Sequence, residues 1–270
     1  MNTLDSRTID RPGLIGMLNV QIGVMKALML RDLRSRAFGS IIGYFFFILW
    51  PLSHILVIVA FTVALKRGAP YGESTALWFA TGSVPYLSFS YMARFTMFGV
   101  VQNKQLMFFP RVKFLDVVFA RAVVEALNAV IVILLLFAIF WFLDIDFMPR
   151  DTVQAGYALF AAMLLGLGLG VLNSVIAGMA PFWMTAFSIL NVVLWVTSGV
   201  MFVPDALPKA AQDILAYHPV LHAVEWMRAA YFEGYGASIL DKKYLLWFGV
   251  GLLFAGLVGE RIMRGGILGR

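Results

Sequence analysis

The sequence predicts an all-α integral membrane protein with about six membrane-spanning helices. Hydrophobic residues make up 61% of its 270 residues, charged residues only 13%, and the mean hydropathy is +0.85. Soluble domains contain about 45–50% apolar and about 25% charged residues, so a soluble fold could not bury this much apolar surface. The apolar residues also occur in runs of about 20 or more, the length that crosses a bilayer as a helix. The ten-residue alternation of barrel strands is absent, and backbone in lipid must satisfy its own hydrogen bonds, so these runs are expected to be helices.

Six apolar runs are predicted to span the membrane. They cover residues 41–65, 77–101, 117–143, 153–178, 182–203 and 244–263. The first run is closed by Lys66-Arg67, and the third ends at Asp144 and Asp146. The second run is the most polar, because it contains Arg94 and several hydroxyl side chains.

Three other segments are not expected to span. Residues 1–40 form a basic cytoplasmic tail, in which about 18–38 predict an amphipathic helix at the membrane interface, with a plain solvated tail as the alternative. Residues 102–116 form a loop of mixed character. Residues 204–241 are partly apolar and predict one or two short helices that dip into the outer leaflet. The whole chain, 1–270, is then a single transmembrane domain.

Charge predicts the orientation and excludes some functions. The net charge is +6, but the basic residues concentrate in the N-terminal tail, the 102–116 loop and the C-terminus. Lys and Arg accumulate on the cytoplasmic side of membrane proteins, so both termini are expected to be cytoplasmic. No basic, aromatic-interleaved module indicates nucleic-acid binding. The N-terminus also lacks the order of segments that marks a secretory signal.

No catalytic or nucleotide-binding motif is evident. The chain has no cysteine and no Gly-Lys dipeptide, which excludes thiolate chemistry and the Walker phosphate loop. The run Gly166-Leu-Gly168-Leu-Gly170 lies in the middle of a span without a preceding strand. Small residues at such a place favour close packing of helices.

The segment that contains His218 and His222 allows two interpretations. The spacing of His218, His222 and Glu225 puts them on one face of a helix, as in some zinc sites, and Pro219 suits the first turn of that helix. No metalloprotease pattern is present. The alternative is an ion pair between Glu225 and Arg228 at i,i+3.

Ionisable and amide side chains inside the spans are costly there and so of interest. His54, Arg94, Arg121 and Glu125 belong to this group; the arginines could reach toward the interface, and Glu125 could pair with Arg121. Asn128, Asn173 and Asn191 are candidates for hydrogen bonds between helices.

Three segments resemble one known family. Leu30-Arg31-Asp32-Leu33-Arg34-Ser35-Arg36 is similar to a Leu-Arg-Glu motif before the first span. Phe108-Phe109-Pro110-Arg111-Val112-Lys113-Phe114-Leu115-Asp116, followed by Ala120-Arg121 and Glu125, is similar to Tyr-Arg-x-Val-Lys-Pro-(Ile/Leu)-Asp…Ala-Arg-Ala-x-x-Glu. His218-Pro219 to Arg228 is similar to Asn-Pro-(Leu/Val)-x-His-x-(Val/Ile)-Glu-x-x-Arg. The chain thus resembles the permease subunit of type-2 ABC exporters, in the branch that exports capsular polysaccharide in Gram-negative bacteria. It departs from the motifs at Asp32, Phe114 and His218.

The resemblance implies a transporter that works as a complex in the bacterial inner membrane. Two copies of the permease would pair with two copies of a separate ATPase, which would bind ATP and magnesium, so this chain would carry no cofactor or metal and no catalytic residue. A lipid-linked polysaccharide would be the substrate. Periplasmic co-polymerase and outer-membrane export proteins would continue the conduit.

The resemblance also implies roles for three sets of residues. Those that couple to the ATPase are Asn103, Lys104, Phe108, Phe109, Pro110, Arg111 and Lys113. The first and fifth spans would line the substrate path. Because sugars stack on aromatic faces, the aromatic residues of these spans are the candidates to contact the glycan, with ordinary interfacial belts of Trp and Tyr as the alternative: Tyr44, Phe47, Trp50, Trp183, Phe187, Trp195 and Phe202. His222, Glu225 and Arg228 would form an outer gate.

Two other functions stay open at this point. A related type-2 permease could carry another substrate, such as O-antigen, teichoic acid or a drug. A membrane-embedded enzyme acting on lipid-linked sugars would need a polar cluster at the membrane face, for which Asp144 and Asp146 are the nearest candidates.

Overall fold

The computed structural model describes residues 14–36, 40–65 and 68–268. Nine α-helices occur within these ranges, and no strand occurs there: α1 Leu14–Arg36, α2 Ile41–Ala64, α3 Thr75–Gln102, α4 Phe114–Phe142, α5 Thr152–Met179, α6 Trp183–Thr197, α7 Lys209–Leu215, α8 Pro219–Tyr231 and α9 Lys242–Leu268. Short 3-10 helices cover Lys104–Phe108 and Pro204–Ala206. The predicted all-α fold is confirmed. The predicted tail before residue 14 and the Lys66-Arg67 pair lie outside the described residues.

Four of the described helices are long and apolar enough to cross a membrane, namely α2, α4, α5 and α9. The prediction of six spans therefore also depends on α3 and α6. Helix α3 has 28 residues, about 42 Å at 1.5 Å per residue, and most of its polar side chains face other helices. Helix α6 has 15 residues, about 22 Å, which is less than the roughly 30 Å hydrocarbon core. It ends at Thr197 rather than near 203, because a turn with Gly199 at φ +81° follows it.

Helix α5 lies between α3 and α9 at very short range. A β-carbon at Gly166 would be 2.5 Å from the carbonyl oxygen of Phe89, and one at Gly168 would be 2.5 Å from the carbonyl oxygen of Gly249. Only glycine permits such approach, so the predicted role of the glycine run in close packing is confirmed. Because α3 and α9 contact opposite faces of α5, these three helices form the rigid centre of the fold.

The remaining spans pack on the far side of α3. Leu52 and Ile55 of α2 contact Val132 and Leu136 of α4 and Ala80 of α3 in one buried cluster. Helices α4 and α5 follow one another in the chain yet make few contacts. They diverge and leave a cleft between them.

Helix α1 is fastened along the base of α4. Leu28 is buried against Met107, Phe114 and Val118, while the apolar Leu18 and Leu30 are 61% and 60% exposed. The described residues 14–36 therefore form the predicted helix, with some apolar side chains packed against the bundle and others free to meet a membrane surface, and they are not a plain solvated tail.

Polar contacts fix the register of α1. A buried ion pair joins Asp32 to Arg121 of α4, and Arg121 also donates to the side-chain oxygen of Gln102 at 2.8 Å. The side-chain amide of Gln21 donates to the carboxylate of Asp116. Arg121 is 4% exposed, so it does not reach toward the interface but holds α1 in place.

Candidate functional site

A groove runs between α2, α3 and α6 and has about 1220 Å³ of empty space. Its lining is mixed in character, with aromatic rings, hydroxyls, an amide and a guanidinium: Trp50, Ser53, His54, Val57, Ile58, Tyr86, Leu87, Ser90, Tyr91, Arg94, Asn191, Val192 and Trp195. Polar and charged side chains are energetically costly inside a membrane protein, and they commonly mark its functional sites.

Two hydrogen bonds hold α6 against α3 at one side of the groove. The hydroxyl of Tyr86 donates to the backbone oxygen of Asn191 at 2.6 Å, and the amide of Asn191 donates to the Ser90 hydroxyl at 2.7 Å. The expectation that Asn191 bonds between helices is confirmed. These bonds position the short α6 as a wall of the groove.

The opposite wall is organised around His54. Its Nδ1 atom lies 3.0 Å from the Tyr91 hydroxyl and 2.9 Å from the backbone oxygen of Trp50, and the rings of His54 and Trp50 meet edge to face at 5.3 Å. Arg94 is exposed, with its Cζ atom 5.6 Å from the Phe98 ring. The groove therefore presents aromatic faces and a positive charge side by side.

Such a lining suits a hydrated, ring-shaped and anionic ligand. Aromatic faces pack against apolar ring surfaces while polar tips stay hydrated, hydroxyl and amide groups exchange hydrogen bonds with sugar hydroxyls, and a guanidinium binds carboxylate or phosphate. An unbranched hydrocarbon would leave most of these groups unsatisfied.

The predicted path residues are placed differently from one another. Trp50 and Trp195 line the groove. Phe187 is 1% exposed in the hydrophobic core, and Trp183 donates to the side chain of Asn173 at 3.0 Å. Neither lines the groove, nor do the partly buried Phe47 and Phe202. The side chain of Tyr44 lies outside the described residues.

A second polar cluster centres on Arg228 of α8, which is fully buried. Its guanidinium donates to the carbonyl oxygens of Gly199 at 2.7 Å, Val200 at 2.8 Å and Phe202 at 3.1 Å. It also lies 3.8 Å from the ring centre of Trp78. Arg228 thus donates to three carbonyls of the turn that follows α6 and joins α8 to that turn.

Glu225 is the neighbouring acid. Its Oε1 atom is 3.8 Å from Arg228 and accepts a 2.5 Å hydrogen bond from the Tyr235 hydroxyl. Burial raises the pKa of Glu225 to about 7, although Tyr235 and Arg228 oppose the shift. The i,i+3 pair expected from the sequence is therefore present.

His222 is held by two backbone groups. Its Nδ1 accepts from the N–H of Asp241 at 3.0 Å, and its Nε2 lies 2.9 Å from the carbonyl oxygen of Ala216. These partners require the neutral ring with the proton on Nε2, and burial lowers the pKa of His222 in agreement. His222 is thus occupied in joining α8 to the segments on either side. Among the described residues, no group of three or more His, Asp or Glu side chains is placed to hold a metal ion.

Replacing Glu225 by Gln should remove a pH dependence of stability. The carboxyl binds its proton more tightly in the folded than in the unfolded chain, so the wild type should gain stability relative to the variant as the pH falls from about 7 to about 4.5. The gain should be of the order of a few kcal/mol. Unfolding temperatures in detergent between pH 8 and 5 measure it.

The matched control is Glu233→Gln, whose exposed carboxylate pairs with Arg150 on the surface. Its difference from the wild type should vary little with pH. A pH-independent difference for Glu225→Gln would contradict the buried, proton-binding carboxyl.

The 102–116 loop presents a mixed surface. Phe108 and Phe109 are 49% and 62% exposed, and Arg111 and Lys113 are exposed beside them. Phe108, Phe109 and Lys113 border, with Arg264 of α9, a depression of about 1090 Å³. The loop therefore offers apolar and basic groups together, as a docking surface does.

The base of the same loop is rigid. Asn103 donates to the backbone oxygen of Gly99 at 2.7 Å and accepts from Arg31 of α1 at 2.6 Å. Lys104 is half-buried and Pro110 exposed. The backbone N–H of Lys113 donates to Asp116 at 2.8 Å, which starts α4.

Several site residues were not identified from the sequence. Trp78 and Tyr235 complete the Arg228 cluster, and Tyr86, Ser90 and Tyr91 line the groove. A signal for the groove existed: Tyr86, Ser90 and Arg94 recur every four residues on α3, which puts them on one face. No comparable signal marks Trp78, whose role depends on contacts far along the chain.

Asp144 and Asp146 make local contacts only. Asp144 has φ +53° in the turn that ends α4, and Asp146 accepts from the backbone N–H of Met148 at 3.3 Å. Both are exposed. They shape the turn between α4 and α5.

Comparison with known proteins gives the family. No protein-family model matches the chain. The chain is 30% identical to the polysialic acid transport protein KpsM of Escherichia coli over 240 residues, which covers 88% of this chain and 92% of that protein. The chain belongs to the family of capsule polysaccharide export inner-membrane permeases.

Two further members of this permease family match nearly the whole chain at lower identity. The capsule polysaccharide export inner-membrane protein BexB of Haemophilus influenzae is 26% identical over 89% of this chain and 91% of its own length. The protein CtrC of Neisseria meningitidis, which carries the same description, is 26% identical over 96% and 98% respectively. The resemblance found in the sequence is confirmed.

The three residues that depart from the permease motifs, Asp32, Phe114 and His218, each make a defined contact in the structure. Asp32 forms the buried pair with Arg121, and Phe114 is 4% exposed in the cluster under α1. His218 caps α8, because its Nδ1 accepts from the N–H of Leu221 at 3.2 Å. Asparagine, the residue of the motif, is favoured for the same capping role.

Proposed function

We propose that the chain is the transmembrane subunit of an ATP-driven exporter that moves lipid-linked capsular polysaccharide across the bacterial inner membrane. The groove between α2, α3 and α6 carries this proposal, since its aromatic faces, hydroxyls and Arg94 match an acidic glycan. The relatives named for export of capsule polysaccharide or polysialic acid support the same substrate class.

The direct test is export in a capsule-forming strain that lacks its own permease. Expression of this chain together with the ATPase encoded beside it should restore polysaccharide at the cell surface. The proposal would be contradicted if the protein were present in the membrane at normal levels while the polysaccharide stayed inside the cell.

We propose that two copies pair around the groove. One chain supplies walls from α2, α3 and α6, and α6 exposes Ile189, Val193 and Val196 beside the opening. These apolar side chains suit a second copy, which would close the groove into a path. Phe47, Trp183, Phe187 and Phe202 do not line the groove and are not part of this proposed path.

ATP and magnesium are proposed to be bound by two copies of a separate cytoplasmic ATPase, since the chain has no Walker loop of its own. The 102–116 loop would contact that ATPase. Exposed Phe108 and Phe109 would supply apolar contact, and Arg111 and Lys113 would meet acidic groups. Both termini and this loop would then lie in the cytoplasm.

The double variant Arg111→Glu, Lys113→Glu should lose its ATPase partner. Reversing two charges at a docking surface creates repulsion worth several kcal/mol, so ATPase recovered on a tagged permease should fall by roughly tenfold or more. Lys209→Glu with Lys243→Glu is the matched control, because both residues are exposed and lie on the predicted outer side. Equal ATPase recovery from both double variants would exclude the loop as the docking surface.

The double variant Trp50→Ala, Trp195→Ala should export poorly. Each aromatic contact is worth about 0.5–1.5 kcal/mol, so surface polysaccharide should decrease by roughly tenfold at normal protein level. The control is Trp141→Ala with Trp247→Ala, which are 69% and 73% exposed and lie away from the groove. Full export by the first pair would mean that these rings do not contact the glycan.

His222, Glu225 and Arg228 are proposed to hold the outer segment in its closed position. Their contacts join α8 to the end of α6 and the start of α9, and these would have to rearrange when the path opens. Ile214 and Tyr217, which are 74% and 79% exposed, offer apolar surface to a periplasmic partner that continues the conduit to the outer membrane.

A further inference from the structure

A second cavity, separate from the groove, lies in the cleft between α4 and α5. It has about 790 Å³ of empty space and is bordered by α3, α4, α5, α8 and the turn before α5. Its lining includes Val84, Phe137, Phe140, Leu159 and Met227. These residues lie near the end of α4 and the start of α5, which places the cleft in the outer half of the bundle.

The interior of the cleft has few polar groups that could bind water. Thr81 is its one hydroxyl residue on α3, and this hydroxyl already donates to the carbonyl oxygen of Trp78 at 2.8 Å. The other hydroxyl residues of the lining, Thr152 and Tyr231, stand at the outer ends of α5 and α8. A buried water needs two to four polar partners, so the cleft suits an apolar occupant.

The membrane supplies such an occupant. A lipid acyl chain is apolar and is much thinner than an α-helix, which with its side chains is about 10 Å across. Helices α4 and α5 both qualify as membrane spans. Leu134 and Phe160, which follow the lining residues Ile133 and Leu159 in the chain, are 60% and 61% exposed. The cleft therefore faces bilayer hydrocarbon.

We propose that a phospholipid of the outer leaflet inserts one acyl chain between α4 and α5, with its head group beside Arg150. The side chain of Arg150 is 58% exposed and pairs with Glu233. That pair joins the turn before α5, which supplies Pro149 to the rim of the cleft, to Glu233, which lies two residues after Tyr231 at the end of α8. The acyl chain contacts Met227, the residue before Arg228 on α8, and so supports this helix.

Gly156 allows the cleft to be filled without disturbing the backbone. It borders the cleft, and a β-carbon there would meet no atom within 4 Å. Gly156→Phe would place a ring where the acyl chain lies. Gly251→Phe is the matched control, because Gly251 on α9 is equally free of neighbours and lies outside the cleft.

The test uses the full chain, with any ATPase that co-purifies, in nanodiscs that contain phosphatidylglycerol with a photoreactive diazirine on one acyl chain. After illumination, mass spectrometry should find labels concentrated at Phe137, Phe140 and Leu159. Gly156→Phe should lower this labelling by roughly tenfold, since displacing even two methylenes from an apolar site has about that effect. Gly251→Phe should leave it unchanged.

A second variant tests the head group. Arg150→Gln should lower labelling by the phosphatidylglycerol probe more than labelling by the same probe built on phosphatidylcholine. Labels spread evenly over the lipid-facing surface, or equal labelling in Gly156→Phe and the wild type, would overturn the proposal. Lipid binding needs no exporter activity, so this result and the surface-polysaccharide assay fail independently.

Discussion

Arg228→Ala is expected to yield little folded protein. The substitution removes the guanidinium donor from three backbone carbonyls of the turn after α6, of which that of Gly199 keeps only the 3.3 Å bond from the N–H of Phe202. It also leaves an empty space beside Trp78 and removes the positive partner of Glu225. Breaking a buried, hydrogen-bonded charge costs about 3–5 kcal/mol, a large part of the stability of a typical domain. Size-exclusion chromatography of detergent extracts and thermal unfolding of the monodisperse fraction measure the loss.

Two variants make the Arg228 result specific. Arg150→Ala removes an exposed charge from a surface pair worth about 0–1 kcal/mol and should behave like the wild type. Arg228→Lys should rescue only in part, because an ammonium cannot reproduce a planar fork that reaches three carbonyls and stacks on a ring. If Arg228→Ala unfolds at the same temperature as Arg150→Ala, the turn after α6 does not depend on Arg228.

Gly170→Leu is expected to separate α5 from α3. A β-carbon at Gly170 would lie 2.7 Å from the Thr96 Cβ atom and 2.8 Å from the carbonyl oxygen of Ala93. Overpacking costs about 1–3 kcal/mol even where side chains can move, and here backbone must move, so we expect the yield of monodisperse protein to collapse.

Gly251→Leu is the control, since the same side chain there meets open space. It should leave yield and unfolding temperature close to the wild type. A normal unfolding temperature for Gly170→Leu would show that α3 and α5 are less closely packed in the membrane than their contacts indicate.

The fold class followed from the sequence because hydrophobic runs and basic loops depend on local composition. The boundary of α6 did not. Its apolar run continues to Val203, but the chain turns after Thr197 at Gly199, and a hydropathy pattern does not distinguish a helix from an apolar turn. The turn is stabilised by Arg228, a residue about 30 positions further on, so only the tertiary structure reveals it.

The site was predictable to the extent that it is local. The ion pair of Glu225 and Arg228 follows from i,i+3 spacing, and the start of α8 follows from the preference of proline for the first turn of a helix. Phe187 shows the limit: an aromatic residue in an apolar helix can face a path or the core, and which occurs depends on neighbours from other helices. Phe187 packs into the core.

Helix α1 obtains its packing partners late in the synthesis of the protein. Its partners Asn103 and Arg121 lie 72 and 89 positions after Arg31 and Asp32, and α2 and α3 must be synthesised first. At about 5–20 residues per second, roughly 5 to 20 seconds pass between the synthesis of α1 and that of Arg121 in α4. During that interval its apolar face has only the membrane surface or a chaperone to cover it. We expect the nascent chain to be most vulnerable to proteolysis then, and α1 to become protected only once Arg121 has been inserted.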